Sequence, residues 1–244
     1  MIPYEPNIQF NRNHPLAFDS GWLMQGSGER VKEYANGYDG TIIGADRVQE
    51  GVEFGTSLSR IKTVNAGKLL TNKGSIVLSF IWKLTPSSSY AYLIAIDEDY
   101  QEFSLYLSNN VSMLRCYING VVIQVSQGNL VDGNIHNIAI TWNSSNNEFN
   151  FFYDGNLQLN FTTSLTWDTI GIAAHDFYIG GRLSRADRYA GGIFSYCYIY
   201  NRVLSPQEIL QLNYNPYDMF YTPSYTTYYS FPTISFKPMI IGPY

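Results

Sequence analysis

Between Gly74 and Phe161 the chain is a succession of short stretches in which apolar and polar residues alternate, separated by residues that favour turns. A period of two places the apolar side chains on one face of a β-strand. Two of these turns are Asn119-Gly120 and Asp154-Gly155, residue pairs that favour two-residue hairpin loops. Short strands joined this tightly predict an antiparallel β-sandwich or jelly roll. The predicted strands are Ser75 to Leu84, Tyr90 to Ile96, Phe103 to Leu107, Met113 to Ile118, Val121 to Ile123, Ile135 to Trp142, Glu148 to Tyr153 and Leu157 to Phe161.

The composition is that of a folded, aromatic, weakly charged protein. Hydrophobic residues make up 45% of the 244 residues, charged residues 14%, and 21 residues are tyrosine. The length suffices for one large sandwich. A net charge of −5 offers no basic face for phosphates, so nucleic acid is not an expected partner. No stretch approaches the roughly 20 apolar residues of a membrane span, and the first ten residues lack the features of a secretory signal.

A second informative stretch runs from Asp176 to Leu212. Its longest strand-like run is Gly192 to Tyr200, and after it Ser205-Pro206-Gln207-Glu208 predicts a helix that begins with a capping box. Strict alternation within the run predicts two faces. The first face carries Phe194, Tyr196, Tyr198 and Tyr200, and the second carries Ile193, Ser195, Cys197 and Ile199.

Several of these motifs resemble the laminin G-like, concanavalin A-like domains of phages and bacteria. The resemblance covers Gly21 to Asn215. It rests on the opening Trp22-Leu23-Met24, on His136 followed by Ile-Ala-Ile-Thr-Trp and an Asp-Gly turn, and on Ile199-Tyr200-Asn201-Arg202 before the helix. It implies an all-β, concanavalin A-like antiparallel sandwich with a short C-terminal helix and extended arms. We therefore expect an N-terminal arm over 1–20, the sandwich over 21–215 and a C-terminal tail over 216–244.

The resemblance also bears on metals and catalysis. Some relatives bind calcium through aspartates, but Ser195 stands where one is common and the loop Thr56 to Ser59 has no carboxylate. We therefore expect no cofactor or metal, with calcium disfavoured. Glycoside hydrolases of this fold use Glu-x-Asp-x-Glu on one strand, whereas Asp97 to Glu102 would align Glu98, Tyr100 and Glu102. We therefore predict no catalytic residues and no enzymatic activity, and interpret His136 as structural.

The most charged short segment runs from Arg182 to Tyr189 and has two interpretations. It could be a solvated hairpin loop with local ion pairs. It could instead bind a glycan or a partner, because arginine and aspartate hydrogen-bond sugar hydroxyls and tyrosine stacks on a pyranose. The candidate binding residues are Trp167, Asp168, Arg182, Arg185, Asp187, Arg188 and Tyr189.

The tail over 216–244 is rich in proline and aromatic residues, and its charged residues are Asp218 and Lys237. Disordered tails are poor in aromatics, so we expect this one to lie against a surface. That surface is either the sandwich's own open face or a neighbouring subunit. The candidate assembly residues are Tyr217, Phe220, Tyr221, Tyr225, Tyr228, Tyr229, Phe231 and Phe236.

The two cysteines, Cys116 and Cys197, are too few for a disulfide scaffold. Both lie in predicted strands, which favours two buried thiols. A disulfide bridge between them remains an alternative if their strands are neighbours.

Two functions from different classes fit these features. The first is a non-enzymatic virion structural protein, a phage capsid decoration or tail-associated protein that presents a lectin-like sandwich outward. Its partners would be other virion proteins or copies of itself, for instance in a trimer. The alternative is a carbohydrate-binding module or adhesin that recognises cell-surface glycans, located extracellularly or at the cell surface.

Overall fold

The computed structural model describes residues 8–25, 27–55, 58–83, 90–96, 103–108, 113–118, 121–126, 130, 132–162, 175–182 and 190–221. Helical structure in these residues is confined to a 3-10 helix, Ala66–Leu69, and one α-helix, α1, Pro206–Tyr214. The strands are β1 (Gln9–Phe10), β2 (Ser20–Leu23), β3 (Arg30–Val31), β4 (Gly40–Ile43), β5 (Asp46–Val48), β6 (Gly51–Phe54), β7 (Arg60–Thr63), β8 (Lys73–Trp82), β9 (Tyr90–Ile96), β10 (Phe103–Ser108), β11 (Met113–Ile118), β12 (Val121–Ser126), β13 (Ile135–Asn143), β14 (Glu148–Tyr153), β15 (Asn156–Thr162), β16 (Phe177–Ile179), β17 (Gly192–Tyr200) and β18 (Phe220–Tyr221).

Sixteen of the strands form two eight-stranded sheets whose pairings are all antiparallel. Sheet I has the order β12-β11-β10-β9-β16-β7-β4-β3. Sheet II has the order β15-β14-β13-β8-β17-β6-β5, with β2 also paired to β17. The predicted all-β antiparallel sandwich is confirmed.

The predicted hairpins have the expected register. Ile118 pairs with Val121, and Tyr153 pairs with Asn156, so two residues separate the strands in each case. Asp154 and Gly155 have φ of 47° and 78°, the left-handed values that a type I′ turn requires at both central positions. This is the reason that an Asp-Gly pair closes the β14–β15 hairpin.

The main core lies between the two sheets. The inner face of β8 contributes the alternating residues that the sequence pattern predicts, Ile76, Leu78, Phe80 and Trp82, all buried. The two cysteines face this core from opposite sheets, Cys116 on β11 and Cys197 on β17, and both are free, buried thiols. Burial raises the pKa of each thiol, because a thiolate loses its hydration there.

A β-bulge at Ser195 interrupts the alternation of β17. Phe194 pairs with Phe80, and the next paired residue, Tyr196, faces Ser79, so Ser195 is the extra residue. Phe194 therefore packs in the main core, whereas Tyr196 faces away from it. The prediction that Phe194 shares a face with the tyrosines is wrong, because the bulge shifts the phase of the strand.

The outer face of sheet II is covered by other parts of the same chain. Helix α1 begins with the predicted capping box, in which the Glu208 N–H donates to Ser205 Oγ and the Ser205 N–H to the Glu208 carboxylate. The helix and both terminal segments pack on the tyrosines of β17 in a second apolar cluster. Phe18 stacks on Tyr198 with ring centroids 4.8 Å apart. The two terminal segments also pair with each other through β1 and β18.

Candidate functional site

The structure places only part of the binding and assembly residues expected from the sequence. Of the binding residues, Arg182 lies in the described chain. The remaining ones lie outside it, namely Trp167, Asp168, Arg185, Asp187, Arg188 and Tyr189. The carboxylates Asp97 to Glu102 also lie outside the described residues.

The described part of the tail packs on the chain itself. The Tyr217 ring meets Tyr196 edge-on at 5.9 Å, and the Phe220 ring lies 5.5 Å from Phe10. Met219, between them, is fully buried. Tyr221 is described through its backbone, which pairs with Gln9. The other assembly residues lie outside the described chain, namely Tyr225, Tyr228, Tyr229, Phe231 and Phe236.

Arg182 is held over sheet I by the two glycines that precede it. A Cβ on Gly180 would lie 2.5 Å from the Phe54 ring, and one on Gly181 would lie 2.2 Å from the Ser59 carbonyl oxygen. The backbone can therefore approach this closely only with glycine. Arg182 is 3% exposed, and its guanidinium carbon lies 5.5 Å from the ring centre of Tyr92. The contact has the geometry of a cation–π interaction.

Tyrosines and cations form rows across the outer face of sheet I. Strand pairing aligns one row directly, Lys62, Tyr178, Ala95, Ser104, Tyr117 and Val122. It aligns a second row, Tyr92, Tyr106, Arg115 and Gln124. Because side chains of residues paired in this way point to the same side, one face collects all of them. We call this surface the aromatic face.

The tyrosines of the aromatic face pack on one another in a cluster separate from the main core. The rings of Tyr92 and Tyr106 stack at 5.3 Å, and Tyr90 meets Tyr106 edge-on at 5.5 Å. Burial raises the pKa of the Tyr106 hydroxyl, and the neighbouring Tyr92 adds to the effect. The Tyr106 phenol is therefore neutral at physiological pH.

The burial of the aromatic face is graded across the sheet. Tyr178, Tyr92 and Tyr106 are between 1% and 8% exposed. Towards the β12 edge, Arg115 and Tyr117 are half-buried, and Gln124 is exposed. A ligand would thus reach the β11–β12 side directly and meet a rigid aromatic floor beside it.

This face and its border include the charged residues Lys62, Arg115 and Asp176. The Lys62 ammonium lies 2.7 Å from the Asp176 carboxylate. Burial alone would raise the pKa of Asp176, but the hydrogen bonds from Lys62 and the Asn65 N–H hold it below its usual value. Asp176 therefore stays ionised and paired with Lys62, and the guanidinium group of Arg115 adds a second cation to the described part of this face.

Two buried polar atoms of the aromatic face have no hydrogen-bond partner among the described residues. They are Ser104 Oγ and Arg115 Nε. Buried polar groups in native proteins are rarely left unpaired, because each costs about 1–3 kcal/mol. An external hydrogen-bonding ligand would explain both.

Sequence reasoning missed the aromatic face although its signal was available. The strands FSLYLS and MLRCYI each place polar or tyrosine residues at alternate positions, opposite an apolar set, whereas in YAYLIAI a register shift changes the phase after Tyr92. These strands are therefore amphipathic, with an apolar side and a side that carries tyrosine and polar residues. The register that aligns the tyrosines into rows depends on long-range pairing, which no local pattern specifies.

His136 is held between two carboxylates at the end of the core. Its Nδ1 lies 2.9 Å from Asp154 Oδ2, and its Nε2 lies 3.0 Å from Asp132 Oδ1. The hydrogen bond to Asp154 raises the pKa of His136 against the opposing effect of burial, and the bond to Asp132 adds to it. This arrangement joins the β14–β15 turn to the start of β13, which is a structural role.

The described residues contain no group of three or more His, Cys, Asp or Glu side chains arranged to hold a metal ion. Nor do they include a helix long and apolar enough to cross a membrane.

Comparison with solved structures finds the same fold at low identity. The Trypanosoma rangeli sialidase in complex with sialic acid is 16% identical with a TM-score of 0.65, and the match covers 82% of this chain and 33% of that one. The chain thus spans about a third of the sialidase. The CBM40 of Ruminococcus gnavus IT-sialidase bound to alpha2,6 sialyllactose is 17% identical with a TM-score of 0.53, covering 68% of this chain and 97% of that one.

Comparison with families is more specific. Curated proteins give no significant match. The family model described as concanavalin A-like lectin/glucanases superfamily matches residues 58–210, which is more than half of the chain. The chain therefore belongs to the concanavalin A-like lectin/glucanases superfamily, as its laminin G-like motifs predict.

Proposed function

We propose that this protein is a carbohydrate-binding module without catalytic activity, and that it holds a glycan against the aromatic face of sheet I. The observation that carries the proposal is the row of tyrosine and arginine side chains with two buried, unpartnered polar atoms, Ser104 Oγ and Arg115 Nε. Sugar sites need apolar contact area and a few fixed hydrogen-bonding groups, and this face has both.

The half-buried end of the face provides the contacts. The Tyr117 ring offers a surface for the C–H side of a pyranose, and the neighbouring Arg115 offers guanidinium donors. Because the floor beside them is packed and buried, these side chains are held in place before the ligand arrives, which lowers the entropy cost of binding.

The charge of the face favours an acidic sugar. Guanidinium groups bind carboxylates in a bidentate manner, and Asp176 is already paired with Lys62. The similar fold of the R. gnavus module in complex with sialyllactose supports sialylated glycans as the first ligands to test.

The proposal assigns no catalytic role to this face. Glycoside hydrolysis uses two acids that flank the scissile bond. Among the described residues of the aromatic face, Asp176 is the carboxylate, and its ion pair with Lys62 leaves no second acid beside it.

A glycan array followed by titration calorimetry with 3′- and 6′-sialyllactose tests the proposal. We expect Arg115→Gln and Tyr117→Ala each to weaken binding by about tenfold or more, since such anchors contribute upwards of about 1.4 kcal/mol. The matched controls are Arg12→Gln and Tyr214→Ala, whose side chains are exposed and belong to no strand of sheet I. A blank array for the intact protein, or equal losses in test and control variants, would refute it.

A structural role in a virus particle is the second candidate. It is supported by the described parts of the two terminal segments, which pair through β1 and β18 on the sheet II side, away from the aromatic face. The residues after Tyr221 remain strongly aromatic. On this proposal they attach the module to other virion proteins or to further copies of the chain, while sheet I faces outward.

Light scattering on the full chain and on a chain ending at Tyr221 tests this role. Truncation is placed there because the buried Met219 and the packed Phe220 belong to the folded unit. A defined oligomer that becomes a folded monomer on truncation supports attachment through 222–244. Identical masses for both chains, together with unchanged incorporation into particles, would exclude it.

A further inference from the structure

A cleft of about 310 Å³ opens on the outer face of sheet II, at the edge of the region that the chain covers. Strands β8, β13 and β17 form its floor, and the segment after α1 forms one wall. Its lining includes Ser79, Asn137, Ser195, Tyr196, Asn213 and Tyr217. It lies on the opposite side of the sandwich from the aromatic face and shares no residue with it.

The β17 bulge shapes the floor of this cleft. Ser195 is the extra residue of the bulge, and Ser79 is paired with its neighbour Tyr196. Ser79 is 2% exposed and Ser195 is 7% exposed, and both line the cleft. Each hydroxyl can donate a hydrogen bond to a ligand and accept one from it.

The walls are rigid and aromatic. The rings of Tyr196 and Tyr217 meet edge-on at 5.9 Å. The Tyr196 hydroxyl donates to Asn137 Oδ1 over 2.7 Å, and the Asn137 amide donates to Asn213 Oδ1 over 2.8 Å. This chain of hydrogen bonds fixes the side chains in the absence of a ligand, so the cleft is preorganised.

Charge restricts the class of ligand. Glu50 is the charged residue that lines the cleft, and none of the described lining residues is basic. A sugar carboxylate placed here would face a like charge without a cation to offset it. Neutral sugar hydroxyls suit these groups, because the serine and amide groups both donate and accept hydrogen bonds and the Glu50 carboxylate accepts them.

We infer that this cleft is a second binding site, which takes one neutral pyranose unit. Its volume lies at the lower end of the range for small-molecule pockets, as a single sugar ring requires. The inference does not depend on the proposed role of the aromatic face, because it rests on different residues and a different charge.

Methyl NMR with lactose as the probe tests the site. Ile135 lines the cleft and is 61% exposed, and Val122 lies on the aromatic face and is 46% exposed, so their methyl groups report separately on the two surfaces. We expect lactose to shift the Ile135 signals in a saturable manner. Ser195→Leu, which fills the floor, should weaken this response at least tenfold. No shift of Ile135 up to the solubility limit of lactose, or an equal shift in Ser195→Leu, would overturn the inference.

Glucuronate tests whether the charge of Glu50 excludes acidic sugars from the cleft. The intact protein should show no glucuronate-induced shift at Ile135, whereas Glu50→Lys, an exposed substitution, should acquire one. Glu29→Lys, also exposed and away from the cleft, is the matched control. Glucuronate that shifts Ile135 of the intact protein as strongly as lactose would refute the assignment to neutral sugars. Shifts of Val122 with sialyllactose report on the aromatic face alone, so the two proposals can fail separately.

Discussion

The outer faces of the two sheets both carry tyrosines, but they use them differently. On sheet II, the hydroxyls of Tyr196, Tyr198 and Tyr200 each donate to an oxygen of the same chain, at 2.7, 3.1 and 3.1 Å. On sheet I, the tyrosines surround polar atoms that no described residue satisfies, Ser104 Oγ and Arg115 Nε. A tyrosine row that the chain covers is part of its core, whereas a row with unpaired neighbours is a candidate binding surface.

The largest expected effect separates a covered tyrosine from a half-buried one. Tyr198 is fully buried against Phe18, so Tyr198→Ala should cost about 3–5 kcal/mol of unfolding free energy, as other large-to-small core substitutions do. Tyr117→Ala should cost about 1 kcal/mol or less while it weakens glycan binding. Urea unfolding of both variants measures the difference, and similar losses would show that the two faces are equally structural.

Alanine substitutions at two buried serines should change the unfolding free energy in opposite directions. Ser75 is fully buried on β8; its hydroxyl donates to the Arg202 carbonyl and accepts from the Leu204 N–H, each at 2.9 Å. Ser75→Ala leaves the Arg202 carbonyl and the Leu204 N–H without this partner and should lower the unfolding free energy by about 1–3 kcal/mol. Ser104→Ala removes an unpaired buried hydroxyl and should raise the unfolding free energy by about 1 kcal/mol while it weakens sugar binding.

Urea midpoints and sialyllactose affinities of the two serine variants complete this comparison. A destabilised Ser104→Ala protein would mean that the hydroxyl has a partner in the free protein. In that case, Ser104 would no longer support a binding role for the aromatic face.

The smallest effect concerns pH and belongs to the sheet II side. The pKa of His136 is raised in the folded state, chiefly by its hydrogen bond to Asp154. The folded protein therefore holds this proton more tightly than the unfolded chain, and the stabilisation is complete below the unfolded pKa of about 6.5. It is lost as pH rises through the folded pKa, so stability should fall on going from slightly acidic to alkaline pH.

Urea unfolding across this pH range, repeated with His136→Gln, checks the assignment. The variant should lose this part of the pH dependence, and His175→Gln should retain it.

Asp132 behaves in the opposite way at low pH. Hydrogen bonds from the Asn134 N–H and side chain and from His136 lower its pKa to about 2, so its contribution is present above about pH 4 and disappears towards pH 2. A flat profile in the intact protein would contradict the doubly paired histidine.

Local chemistry made much of the fold predictable. The Asp154-Gly155 turn and the Ser205 capping box each depend on residues within four positions of one another, so the sequence determines them without reference to the rest of the molecule. The inner face of β8 follows from alternation alone. The sandwich, the single α-helix of the described chain and the family could therefore be recognised before the structure.

Tertiary structure alone decided where the candidate binding surfaces lie. The bulge at Ser195 arises where β17 pairs with β8, and it moved Phe194 into the core and opened the floor of a cleft. Sequence alternation assigns tyrosines to an outer face of each sheet, but it does not tell which face the termini and the helix will cover. Coverage and register depend on contacts between residues far apart in the chain, and for that reason only the folded molecule distinguishes a structural tyrosine from one that is available to a ligand.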